Sequence, residues 1–409
     1  MKMKYLVFGS FAFYSYFANA QNPDSNTTPV KINKTEIEVL YSQYLQDGNH
    51  SAVTGGLGTE KLNVYATRVF LKKTAGKNTY SIRGGIDVIS SASTDNIDSI
   101  VSSASKLDAR TYVNLDYSRL LKKEKWAVSG GAGFSIESDY FSRMIRIGAE
   151  YSPSNKMRTY FLNMQMYFDD LRWGRLNWEY RKPVKLIYPS ELRDREWFDI
   201  HRRNTYAFNS GFTQVVNKKN VAGIFFEIIF QDGLLSTPFH RVYFTDSSHV
   251  VENLPKNRLK GILGLHWNAF VGGRLVLRNR INTYLDDFGI KALNVESESV
   301  IKVLPQFSFG PHFRFYLQEG SRFFAPHRGH HPFENFYTSD FDLSTLRTFL
   351  IGFSGRYTPN VYMGKRFSFN NLNLRYSYFK RSDQLHAHIV SIFFNTSFNK
   401  TEKSTGNKE

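Results

Sequence analysis

The chain has 409 residues, a formal net charge of +17 from 53 Lys and Arg against 36 Asp and Glu, no cysteine, and 16% aromatic residues, including 36 Phe and 24 Tyr. Without cysteine it has no disulfide, no lipid-modified N-terminal cysteine and no covalently attached c-type haem. Beyond the first twenty residues there is no uninterrupted run of eighteen apolar residues, which excludes a helical membrane protein, and no compact basic-aromatic module, so nucleic acid is not an expected partner.

The N-terminus reads as a secretion signal over residues 1–20. Lys2 and Lys4 form a positive n-region, an apolar run extends from Tyr5 to Phe17, and Ala18-Asn19-Ala20 is a cleavage site, so the mature chain is expected to start at Gln21. Residues 21–35 are then a polar periplasmic segment.

From residue 36 onward, segments of about ten residues alternate apolar and polar side chains. The clearest is Phe307-Ser308-Phe309-Gly310-Pro311-His312-Phe313-Arg314-Phe315-Tyr316-Leu317, with apolar or aromatic residues at most odd positions. Alternation at period two puts one face of a strand in an apolar medium and the other in water. Strands are expected near 36–46, 60–72, 78–90, 109–121, 125–138, 140–152, 157–170, 203–216, 220–232, 258–270, 273–286, 289–303, 307–318, 345–358, 367–380 and 385–398. That is about sixteen strands, with fourteen as the alternative. Connections sort by parity: short at 73–77, 122–124, 152–155, 217–220 and 272–273, long at 47–59, 91–108, 171–202, 233–257 and 319–344. Numerous aromatic-rich strands with short turns at one end and long loops at the other predict an all-β fold, a closed antiparallel transmembrane barrel over residues 36–398 with periplasmic turns and extracellular loops. The last strand sets Val390, Ile392, Phe394 and Phe398 on one face, a pattern similar to the C-terminal signal read by outer-membrane assembly machinery. Residues 399–409 are polar and expected to be disordered.

With the apolar phase in lipid, the opposite phase lines the lumen. It presents Arg274, Arg278, Arg280 and Asn282 on one strand and Glu296, Glu298 and Lys302 on the next, joined through Asp287-Phe288-Gly289 with Gly289 left-handed. That register sets Arg278 opposite Glu298 and Arg280 opposite Glu296. The same phase holds Arg83, Asp87, Arg110, Asn114, Asp116, Glu227, His312, Arg314, Asn373 and Arg375. An Arg or Lys on the lipid side costs about 2–4 kcal/mol at mid-bilayer, which forces the assignment.

Three connections stand out. Ser90, Ser91, Ser93, Asp95, Asn96 and Asp98 form a hydroxyl- and carboxylate-rich cluster suited to a cation or to self-capping. The glycine-rich stretch 48–60 lacks the Lys-Ser/Thr and helix of a phosphate loop, so close packing at the barrel mouth explains it better. The loop Pro326 to Pro332 carries His327, His330 and His331, near Glu334 and Asp340, but no fourth ligand at a defined spacing, so no metal is assigned to it.

The segments 50–60 and 85–98, with 313–318 and 336–344, resemble a family of Gram-negative outer-membrane proteins of unknown function, the domain-of-unknown-function family numbered thirty-five seventy. The resemblance runs over nearly the whole mature chain. Members are often encoded beside a flavin transferase of the protein-flavinylating type and a small lipoprotein, which implies a role in extracytoplasmic electron transfer and assigns no residues.

These readings converge on an integral outer-membrane protein without catalytic or cofactor-binding residues, in contact with outer-membrane lipid and lipopolysaccharide. The first expectation is a porin-like channel with a basic lumen, because Arg278, Arg280, Arg314 and Arg375 favour anions. The alternative is a housing for a small lipoprotein partner. An outer-membrane hydrolase comes third, because no Ser-His-Asp or paired-carboxylate arrangement assembles from adjacent strands.

Overall fold

The computed structural model describes residues 33–91, 107–121, 125–137, 140–171, 202–237, 240–359, 361–363 and 367–399. The expected signal 1–20, the Ser93 to Asp98 part of the polar cluster, most of the connection 171–202 and the tail after Asn399 lie outside the described residues. Among the described residues there are nineteen strands: β1 (Asn33–Asp47), β2 (Leu62–Ala75), β3 (Asn78–Ser91), β4 (Leu107–Leu121), β5 (Trp126–Glu137), β6 (Tyr140–Tyr151), β7 (Arg158–Asp170), β8 (Arg202–Asn217), β9 (Asn220–Gly233), β10 (Arg241–Tyr243), β11 (His249–Val251), β12 (Asn257–Val271), β13 (Leu275–Asp286), β14 (Lys291–Lys302), β15 (Phe307–Glu319), β16 (Leu346–Tyr357), β17 (Val361–Met363), β18 (Phe367–Arg381) and β19 (His386–Asn399).

Sixteen of these make the wall. Each pairs antiparallel with its sequence neighbour, β9 pairs with β12 and β16 with β18, and β1 pairs with both β2 and β19, which closes the sheet. β17 is a short addition to β18, and β10 with β11 forms a separate hairpin in the connection 234–256. The wall strands fall within three residues of the alternation read in the sequence at most ends, because the two-residue period changes only where a strand leaves the apolar layer.

The two faces differ as the alternation requires. Outward residues such as Ile86, Leu115, Ile147, Ile351 and Leu374 are each at least half exposed to the surroundings of the barrel. A continuous band of large aliphatic and aromatic side chains facing outward has no counterpart on a soluble monomer, and places the barrel in a membrane. At the short-turn end an aromatic girdle runs along the strand ends: Tyr80 against Tyr117, Trp126 against Tyr151, Tyr160 against Phe212, Phe307 against Tyr357 and Phe367 against Phe398, with ring centroids 4.6–5.2 Å apart. Such a girdle marks a membrane–water interface. Among the described residues no helix is long and apolar enough to cross a membrane.

Inward positions are largely polar, and glycines among them let neighbouring strands interact over their backbone. Gly131 on β5 sits between Asp116 on β4 and Arg146 on β6, and the two charges meet across it at 3.3 Å. A Cβ at Gly131 would stand 2.1 Å from the Asp116 carboxylate, so any side chain there would break the bridge.

At the opposite end the connections 48–61, 234–256 and 320–345 pack on one another. Gly55 and Gly56, both with positive φ, lie where a Cβ would strike the rings of Tyr243 and Phe341 at 2.5 and 2.9 Å, which accounts for the glycine-rich stretch as close packing. Leu235, Leu254, Phe288, Ile290 and Leu343 form a buried cluster that ties two of these connections to the β13–β14 turn, and that turn has Gly289 at φ 90° as expected.

Ile145 faces outward halfway along β6. Its replacement by Arg is expected to cost about 2–4 kcal/mol in urea-dependent refolding into phospholipid vesicles. A cost under about 0.5 kcal/mol, within the range of an ordinary surface substitution, would mean that this face does not meet lipid.

Candidate functional site

The charged residues singled out on the later strands come together as transverse rungs of the inner wall. One rung runs Asn268, Arg278, Glu298, His312, Gly352 and Ser377, each opposite the next across β12 to β18. The adjacent rung runs His266, Arg280, Glu296, Arg314, Leu350 and Phe379. The register Arg278 to Glu298 and Arg280 to Glu296 is therefore the one read from the sequence. Arg274 is the exception among the expected lumen residues: it sits in the exposed β12–β13 turn, because Gly272 and Gly273 adopt positive φ and the strand begins only at Leu275.

Side chains in the first rung are linked. Arg278 Nη1 donates to Glu298 Oε2 at 3.0 Å, and Arg375 Nη1 lies 3.8 Å from Glu298 Oε1. Arg375 Nε also donates to His312 Nε2 at 3.2 Å, and His312 Nε2 lies 2.8 Å from the Ser377 hydroxyl. Arg375 belongs to β18 and Glu298 to β14, two strands removed from direct pairing. The guanidinium reaches past His312 because the inward positions beside it are small: Gly310 on β15, and Gly352 and Ser354 on β16. A Cβ at Gly352 would stand 2.6 Å from His312 Nε2 and 2.2 Å from the Tyr376 carbonyl oxygen. Arg314 Nε is buried without a hydrogen-bond partner, and Glu296 receives the Asn294 amide at 3.1 Å. This wall segment carries Arg278, Arg280, Arg314 and Arg375 against Glu296 and Glu298, a surplus of positive charge in a half-buried belt. The consequence of this surplus is an electrostatic one.

Elsewhere the wall is laced in ways that strand spacing alone does not indicate. Arg203 donates to Asp169 at 2.7 Å, Arg258 is clamped to Asp286 beneath the ring of Phe288, and Arg381 binds both Asp342 and Asp383 at 2.6 Å. Arg381 thereby anchors the connection 320–345 to the β18–β19 turn. Tyr44, Val64, Ile89, Leu350, Phe379, Leu385 and Ala387 form an apolar patch on the inner wall near this anchor.

Of the polar cluster, Ser90 is exposed at the end of β3, Ser91 ends the strand, and Ser93, Asp95, Asn96 and Asp98 are outside the described residues. The histidines of the 326–332 loop point apart. His330 is buried with Nδ1 2.6 Å from Glu334 Oε2 and Nε2 3.0 Å from the Thr338 carbonyl oxygen, His331 stacks on Phe333, and His327 lies against Tyr243. They do not converge on a common point.

Glu60, just before β2, is half-buried, and removal of its carboxyl from water together with the nearby Asp342 carboxylate pushes its pKa up to about 8, with Arg381 opposing.

A family model described as "Protein of unknown function (DUF3570)" matches residues 4–388, and the chain belongs to that family. Among solved structures it is similar to a bacterial polysaccharide outer membrane secretin, at 7% identity and TM-score 0.44 over 90% of this chain and 98% of that one. It is also similar to a BenF-like porin from Pseudomonas fluorescens Pf-5, at 9% identity and TM-score 0.42 over 90% and 99%. OpdK of Pseudomonas aeruginosa, solved with vanillate, follows at 8% identity and TM-score 0.42 over 89% and 98%. No curated protein matches the sequence.

Two outcomes follow from this geometry. Gly352→Val is expected to lose about 1–3 kcal/mol in refolding experiments, by driving His312 off Ser377. Gly355→Val, on the outer face where a Cβ meets nothing within 4 Å, serves as the matched control and is expected to be neutral. For Glu60, the folded state keeps a proton that the unfolded chain releases, so its contribution to stability falls as pH rises from about 4.5 to about 8. Urea midpoints measured across that window should flatten in Glu60→Gln, and an unchanged slope would remove Glu60 as the cause.

Proposed function

We propose that the protein is a non-enzymatic, porin-like channel of the outer membrane for small anionic solutes. The observation that carries this reading is the belt of Arg278, Arg280, Arg314 and Arg375 on the inner wall, only partly offset by Glu296 and Glu298. Fixed cations lining a narrow, low-dielectric passage raise the local concentration of anions and lower that of cations. Arg278 and Arg375 both approach the Glu298 carboxylate, at 3.0 and 3.8 Å, which fixes two guanidinium groups of the belt on the wall.

Purified protein in a planar bilayer under a salt gradient tests the proposal. The expected result is conductance with an anion-selective reversal potential that shrinks between 0.1 M and 1 M salt, as the Debye length falls from about 10 Å to about 3 Å. Arg375→Gln should reduce the selectivity. Cation preference would overturn the anionic assignment. A barrel that never conducts, and that carries a bound lipoprotein after gentle extraction, would replace the channel with a housing for a redox partner.

A further inference from the structure

The packed connections at the long-loop end contain a cluster that the lumen does not use. In the β10–β11 hairpin Arg241 pairs with Val251, and one step further in the same register His240 faces Glu252, whose backbone N–H donates to the His240 carbonyl at 3.1 Å. Asp340 approaches from the connection 320–345, some ninety residues away in sequence. His240 Nδ1 lies 3.6 Å from Glu252 Oε1 and 3.8 Å from Asp340 Oδ2, and the three ligand atoms all lie within 4.8 Å of one another.

These separations are too long for hydrogen bonds, and His240 Nδ1 is buried with no hydrogen-bond partner. They suit atoms that share an ion: two ligands bound tetrahedrally at about 2.1 Å stand roughly 3.4 Å apart. The carboxylates are already held. The Thr237 N–H donates to Glu252 Oε2 at 2.6 Å, the Thr338 hydroxyl donates to Glu252 Oε1 at 2.5 Å, and the Asp342 N–H donates to Asp340 Oδ1 at 2.9 Å, which turns Oδ2 toward the imidazole. Outer partners of this kind orient ligands in metal sites. The Glu252 side chain is 1% exposed and that of Asp340 11%, so both carboxylates stand beside the imidazole largely out of water.

We propose that His240, Glu252 and Asp340 bind a divalent first-row cation of the zinc type, and that the ion clasps the connections 234–256 and 320–345 together over the barrel mouth. One nitrogen and two oxygens suit zinc with a fourth, solvent position, whereas calcium takes six to eight oxygens.

The test uses the full-length protein in detergent, stripped with EDTA and titrated with zinc chloride by calorimetry. One zinc per chain is expected. His240→Gln and Asp340→Asn should each weaken binding by about 100-fold or more, since loss of an outer-shell partner alone costs 10–100-fold, while His331→Ala should leave it unchanged. No uptake, uptake unaffected by His240→Gln, or uptake lost in His331→Ala would each overturn the assignment. Should the His240 and Asp340 variants fail to fold, cobalt absorption of the unaltered protein decides: a tetrahedral ligand-field band is expected, and its absence refutes the site.

Discussion

An unpaired backbone N–H or C=O in hydrocarbon costs several kcal/mol, and the pairing of β1 with β19 removes that cost along the whole seam, from Lys34 opposite Asn399 to Asp47 opposite His386. Every other feature depends on this closure. Once the sheet has no edge, each residue is committed to lipid or to lumen by its parity, and a slip of one residue at the seam would turn Glu38 and Ser42 outward. Side chains reinforce the register there: Asn395 Nδ2 donates to Glu38 Oε1 at 3.0 Å, and the Ser42 and Ser391 hydroxyls lie 2.9 Å apart.

Parity also explains how much could be read from the sequence. The Arg278–Glu298 pair was legible because adjacent antiparallel strands joined by a short turn have a single register that keeps both apolar faces in lipid. The Arg375–Glu298 contact was not legible, because it skips two strands and depends on what the intervening residues lack. Gly352 inside a strand was the available signal, since an interior glycine often marks close approach of another group. Arg274 was misplaced for a related reason: alternation continues through the turn, while the positive φ of Gly272 and Gly273 ends the strand. The His240, Glu252 and Asp340 cluster lay further out of reach. Its members come from irregular connections, where no period relates a residue to its neighbours, and the histidines that looked like ligands by density, His330 and His331, are engaged elsewhere.

The connections at the long-loop end behave as a small packed domain seated on the barrel. Val242 and Thr338 are fully buried although neither lies in the wall, and His50 stacks on Phe341 at 3.9 Å. Arg381 joins this cap to the wall through Asp342 and Asp383. In the proposed channel the arrangement would separate two tasks: the cap would bound the way into the barrel, and the charged belt on the wall would act on what enters. A clasp between the two cap connections would act on the first without altering the charge of the second.

The net charge of +17 invites the inference that the lumen is strongly basic, but the positions of the charges divide it. Much of the inner wall is close to balanced, with Arg146 on Asp116 and Arg203 on Asp169, and Arg258 on Asp286. A second share of the surplus lies at the short-turn rim, where Lys73, Lys77, Lys156, Lys218, Lys219 and Arg274 are exposed. Charges on a rim are screened over about 10 Å at 0.1 M salt, whereas those of the half-buried belt are screened much less. In the proposed channel the rim would therefore set how anions gather near the opening at low ionic strength. In the proposed channel, discrimination that persists at high salt would come from the Arg278 to Arg375 belt, where the charges are fixed by neighbours and partly shielded from the bulk.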